Sequence, residues 1–199
     1  MQQSGSEMKT SRFAVFSVVA VLSGVLSGTL TSESSAAPFD SSGSWGPVAD
    51  WPLVAIHAVL SPDGEVLTYG TNADTRQTGR FIYDVWTPGE SAAAGHSTLA
   101  NTTQTDLFCS VQINRYDNGE TMLFGGDNYV GTRTTNRGNP DIDAFDPRTN
   151  TLRELPAMNR SRWYASATTM PDGSFYIQGG LDGEDRAERW SPTAAIRHV

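Results

Sequence analysis

The sequence predicts an all-β fold assembled from repeated units, and three observations carry that expectation. Helical signals are almost absent after residue 40. Three segments align with one another: "HAVLSPDGEVLTYGTN" from His57, "CSVQINRYDNGETMLFGGDN" from Cys109 and "YASATTMPDGSFYIQGGLDG" from Tyr164. Each sets Asp-Gly or Asn-Gly between two apolar runs, a strong hairpin signal because both turn residues tolerate positive φ.

The repeat is regular enough to number. The turn glycines Gly64, Gly119 and Gly173 are separated by 55 and 54 residues, and each precedes a strand-ending glycine (Gly70, Gly125, Gly179) by six. "FIYDVWTP" and "DAFDPRTNTLREL" follow the first two hairpins as third strands closed by a proline turn, with "TLREL" as a fourth strand and "AERWSPT" as a weaker third copy. Four strands at a period near fifty residues is the signature of a β-propeller of the kelch type. Residues 45–192 hold two full blades and part of a third, and "TAAIRHV", 193–199, shows no repeat pattern. A closed ring takes about four to eight blades, so the expectation is an incomplete propeller, a fragment or truncated reading frame with open blade faces.

Residues ahead of the repeats read differently. Lys9 and Arg12 precede "FAVFSVVAVLSGVLSGTL", and "SESSAAPFD" supplies small residues near Ala37. That order is a secretory signal over 1–37, followed by a short linker, 38–44, and it predicts a secreted, extracellular protein. An uncleaved anchor is the alternative, opposed by the Ser and Gly in the run. The chain carries a net charge of −8, and no lysine follows Lys9. Such a surface is a poor match for nucleic acid or an anionic membrane.

Cys109 is the single cysteine. It excludes a disulfide framework and a cysteine-based zinc site, and His57, His96 and His198 are too scattered for a histidine cluster. A lone thiol in an exported chain reads as an intermolecular bridge, a reactive group or a small buried hydrophobe. The repeats add a spatial reading. Cys109 lies 16 residues before Gly125 and Tyr164 lies 15 before Gly179, so both open the first strand of their hairpins in consecutive blades. If that strand is the innermost, the two residues are neighbours at the mouth of the central channel.

"NTTQTDLFCS", "GGDN", "TTNRGN", "FDPRTNTL", "MNRSRWYAS" and "YIQGG" carry a resemblance as well. From about Trp45 to Arg189 the chain resembles the copper-radical oxidases, the galactose oxidase and glyoxal oxidase group, and looks closer to the glyoxal oxidase-like branch. The pairing of "FCS" with "RWYAS" one blade later is its specific part. The resemblance implies a thioether between Cys109 and the Tyr164 ring, with Tyr164 a copper ligand and the seat of a protein radical. It also implies oxidation of a primary alcohol, aldehyde or carbohydrate by O2, giving H2O2. The family's remaining copper ligands, an axial tyrosine beside a histidine and a further histidine, lie in later blades. No Tyr-His pair occurs here, and one tyrosinate cannot hold copper(II) in a square geometry. The expectation is therefore the N-terminal part of such an oxidase, inactive alone. The alternatives are a non-catalytic kelch module binding a glycan or protein, or a truncated product without function.

The remaining candidates read as structural. His57 points towards the channel as a satisfied histidine, and Trp163 packs against the adjacent blade. His96, in a polar linker, is expected to be solvated. Asp127, Asp182 and Asp185 are expected to cap turns. Asn101 and Asn159 head glycosylation-type triplets. Galactose oxidase carries a tryptophan close after the double glycine of this blade; here Leu181-Asp182 follows Gly179-Gly180, which argues against galactose specificity.

Overall fold

The structure, a computed structural model, describes residues 46–89, 91, 93–182 and 186–198. The expected signal (1–37) and linker (38–44), with Trp45 and Asp185, lie outside the described residues. All regular structure among those described is β-strand, and it falls into three four-stranded antiparallel sheets and a small hairpin. The fold is an incomplete β-propeller.

The first blade runs β1 (Val54–Leu60), β2 (Val66–Thr71), β3 (Ile82–Trp86) and β4 (His96–Ala100). The second uses β5 (Val111–Asn114), β6 (Thr121–Phe124), β9 (Ile142–Asp146) and β10 (Thr151–Leu155), with the hairpin β7 (Asp127–Val130) and β8 (Arg133–Gly138) inserted after β6. The third comprises β11 (Ser166–Thr169), β12 (Phe175–Gln178), β13 (Glu188–Ser191) and β14 (Ala194–His198). Each blade is a plain meander. Two strands come from residues with no repeat pattern: β4 from the polar linker and β14 from the tail. Edge pairing runs through the backbone, so neither strand needs an alternating side-chain code.

The three hairpin turns are copies of one another. Gly64, Gly119 and Gly173 take φ of 93°, 77° and 79°, and Asp63, Asn118 and Asp172 each accept the backbone N–H two residues on, at 3.1–3.2 Å. An Asx turn closed by a left-handed glycine explains why Asp/Asn-Gly recurs at these places.

Packing between blades supplies the core. β6 is buried on both faces: Leu123 joins Leu67, Tyr69, Tyr83, Val85 and Phe145 between blades one and two. Met122 and Phe124 join Phe175, Ile177 and Trp190 between blades two and three. The period of two along a strand makes this division automatic. The first strands lie together, with β11 against β5. Gln112 and Asn114 of β5 donate to the carbonyls of Ala58 and Leu60 in β1, at 3.0 and 2.8 Å.

His96 is not solvated. Opening β4, it sets Nδ1 2.7 Å from Oδ2 of the wholly buried Asp84, with the Trp51 ring edge-on at 4.3 Å. Asn101 is buried too, and its amide nitrogen donates to the carbonyls of Gly79 and Thr105 at 2.7 and 2.8 Å. The folded chain therefore presents no free amide for glycosylation there.

Candidate functional site at the inner corners of the blades

The loop entering each of blades two and three ends in a backbone corner. Cys109 and Tyr164 stand two residues before β5 and β11, with φ of 62° and 61°. Left-handed geometry is uncommon for residues with a Cβ, and strain of this kind clusters at functional sites. The corners are stitched in sequence across the blades. His57 Nε2 accepts the Cys109 N–H at 3.0 Å, and the Cys109 carbonyl accepts the Tyr164 N–H at 3.1 Å. The structure thus brings the thiol and the phenol side by side.

Their surroundings differ. Cys109 is 3% exposed and Tyr164 61%. Burial pushes the Cys109 thiol up, against the opposing effect of the Tyr164 phenol and the Trp163 indole N–H. The hydrogen bond with Cys109, followed by desolvation, pushes the Tyr164 phenol up to about 12. The Trp163 ring lies 4.6 Å from that of Tyr164 at 42°. Leu181, which follows the double glycine, exchanges backbone bonds with Trp163 at 3.2 and 2.7 Å.

His57 serves the backbone. It stacks on Tyr69 at 4.8 Å and 21°, and burial lowers its pKa, which favours the neutral ring that can accept from Cys109. Tyr69, fully buried, is bonded to Ser110 Oγ at 2.8 Å and donates to Gln112. Cys109, Tyr164 and His57 share a cleft of about 340 Å³.

Asp127 and Asp182 accept turn N–H groups. Asp127 Oδ1 takes those of Asn128 and Arg137 at 2.7 and 3.1 Å, and Asp182 takes that of Gly138 at 2.8 Å. Sequence reasoning missed Arg162, two residues before Tyr164. It is wholly buried, donating to the Gly179 carbonyl at 2.6 Å, to that of Arg186, and to Glu188 Oε1 at 3.0 Å. Nothing in "MNRSRWYAS" separates this arginine from Arg160; only the three-dimensional partners do.

The site thus sets a buried thiol beside an open phenol at adjacent inner corners of a propeller segment. No family model matches the chain. Galactose oxidase of Gibberella zeae is 29% identical over 167 residues, covering 79% of this chain and 23% of that protein. A WSC domain-containing protein of Arthroderma benhamiae is 27% identical over 118 residues, covering 57% of this chain and 12% of its own length. A fungal alcohol oxidase of the AA5 family, solved in complex with copper, superposes with a TM-score of 0.60 at 20% identity, over 78% of this chain and 32% of its own. Over its propeller residues the chain is similar to galactose oxidase and resembles the copper-radical oxidases. It spans less than a quarter of the length of the galactose oxidase it matches.

Tyr164 offers an open phenol, but His57 Nε2 is engaged by the Cys109 N–H. Among the described residues no three His, Cys, Asp or Glu side chains converge as a metal site. The described residues do not make a complete copper centre.

Proposed function

We propose that the chain carries the thioether half of the active site of a secreted copper-radical oxidase. That enzyme would oxidise a primary alcohol, aldehyde or carbohydrate with O2, giving H2O2, and the chain is inactive by itself. The carrying observation is the corner-to-corner bond from the Tyr164 N–H to the Cys109 carbonyl, which holds a buried thiol beside an exposed phenol in adjacent blades. The likeness to galactose oxidase supports this reading, and the apolar stretch after Lys9 and Arg12 supports export.

Cross-linking would form one S–C bond and break the S–H bond and one ring C–H bond. The two electrons and two protons pass to O2 as H2O2. An ortho sulfur would then delocalise an unpaired electron on the ring. Cys109 supplies the sulfur and Tyr164 the ring, with the Trp163 ring alongside.

Intact mass of the denatured chain, produced with copper under air, tests the proposal against Cys109→Ser. A loss of two hydrogens, resistant to reductant and absent in the variant, is the expected result. A free, alkylatable Cys109 overturns it and leaves the alternative of a non-catalytic propeller module.

A further inference from the structure

Asp106 and Asp127 line a second cavity, of about 150 Å³, together with Arg80, Gln104, Asn139 and Asp141. It shares no lining residue with the thiol cleft. A water occupies about 30 Å³ in the liquid, so this space suits a few waters or one partly hydrated ion. Gly126 makes the close approach possible, because a Cβ at its φ of 135° would stand 2.0 Å from the Asp106 carbonyl oxygen.

Two carboxylates are half-satisfied there. Asp106 and Asp127 are 3% and 0% exposed. Asp106 Oδ1 accepts the Phe108 N–H at 3.1 Å, and Asp127 Oδ1 accepts two backbone N–H groups. The Oδ2 atom of each is buried without any partner. Leaving a buried anionic oxygen unpaired is unfavourable.

Neighbouring donors are committed elsewhere. The Asn139 amide donates to the carbonyls of Asp106 and Asp127 at 3.2 and 2.7 Å. Tyr129 donates to the Gln77 carbonyl at 3.4 Å, and Arg80 lies over the Tyr129 ring at 5.0 Å. With Asp141 the walls carry three carboxyl groups against the one guanidinium of Arg80.

We propose that this cavity binds a hard divalent cation, Ca²⁺ foremost, held by the free Oδ2 atoms of Asp106 and Asp127 and completed by water and amide oxygens. Oxygen donors without thiolate or imidazole select Ca²⁺ over copper or zinc. With only two carboxylates as direct ligands, the site agrees with the lack of any converging group of three among the described residues. A bound ion would tie the Asp106 loop to the Asp127 turn and stiffen the entry to the Cys109 corner.

The test is a CaCl2 titration of the EDTA-treated full chain, followed by calorimetry and thermal melting, with NaCl at matched ionic strength as control. One Ca²⁺ per chain and a melting temperature that climbs with Ca²⁺ but not NaCl are expected, as for any ligand of the folded state. Asp127→Asn should weaken binding tenfold or more. Should it not fold, Asp106→Asn replaces it, since its side-chain oxygen still accepts the Phe108 N–H. Cys109→Ser should bind Ca²⁺ unchanged, which separates this site from the thioether. Absence of any Ca²⁺ response in the wild-type chain, or equal binding by Asp106→Asn, overturns the proposal.

Discussion

Two corners of the molecule have the same backbone and different supports. Cys109 and Tyr164 share a φ near 60°, and each follows a buried charge by a few residues: Asp106 in one loop, Arg162 in the other. Arg162 has its counter-charge in Glu188 and two carbonyls besides. Asp106 has one backbone donor and a bare second oxygen. The repeat copies the turn, but not the electrostatics behind it. A closed charge braces a corner; an open one leaves energy for a ligand to recover.

The largest effect should come from breaking the closed pair. Arg162→Met leaves Glu188, 0% exposed, without its buried guanidinium and resting on the Asn159 donors at 2.7 and 3.0 Å. Losing one partner of a buried pair costs about 3–5 kcal/mol, read as a lower denaturant midpoint. Adding Glu188→Leu should recover only part of this, because Asn159 then loses its acceptor.

Asp143 is the open case at its extreme. It lies in β9, wholly buried, and neither side-chain oxygen has a well-formed hydrogen bond, with only the Thr105 and Thr103 side chains opposing the effect of burial. Burial pushes its pKa up to about 7, so the folded chain holds a proton that the unfolded chain releases near pH 4. The associated stability is complete below about pH 4 and is lost as the pH climbs through about 7, a swing of a few kcal/mol at most. Melting at stepped pH should show that decline, and Asp143→Asn should flatten it. An unchanged slope in Asp143→Asn would assign the pH response elsewhere.

These partners mark the limit of what the sequence discloses. The blades were legible because each turn needs a left-handed glycine after Asp or Asn, a local requirement that repeats at a countable spacing. The neighbouring positions of Cys109 and Tyr164 followed from the same count. His96 and Arg162 were opaque, because their fates depend on Asp84 and Glu188, contributed by other strands. The β7–β8 hairpin was hidden too: "DNYVGTRTTNRG" has little apolar alternation, and β7 is sealed at one end by Asp127 rather than by a hydrophobic face.

Gly126→Ala disturbs the open corner alone. Its Cβ would meet the Asp106 carbonyl at 2.0 Å with φ at 135°, so the two loops must part. The expected cost is about 1–3 kcal/mol. Any Ca²⁺-dependent rise in melting temperature should vanish with it, whereas Arg162→Met should retain that rise in whatever fraction stays folded.

The smallest effect separates what holds the Cys109 corner from what merely packs beside it. His57→Phe keeps a ring to stack on Tyr69 but removes the acceptor of the Cys109 N–H, while His57→Gln keeps a side-chain acceptor and loses the stack. One hydrogen bond contributes about 1 kcal/mol, so melting should shift little in either variant. Alkylation of Cys109 in the folded chain, produced without copper so that the thiol stays free, is the sharper readout. If the bond to His57 fixes the corner, the thiol, 3% exposed, should react faster in His57→Phe than in His57→Gln. If both react at the wild-type rate, the corner is fixed by the loop itself, through the bond from the Tyr164 N–H to the Cys109 carbonyl. The two corners would then share their support as well as their shape.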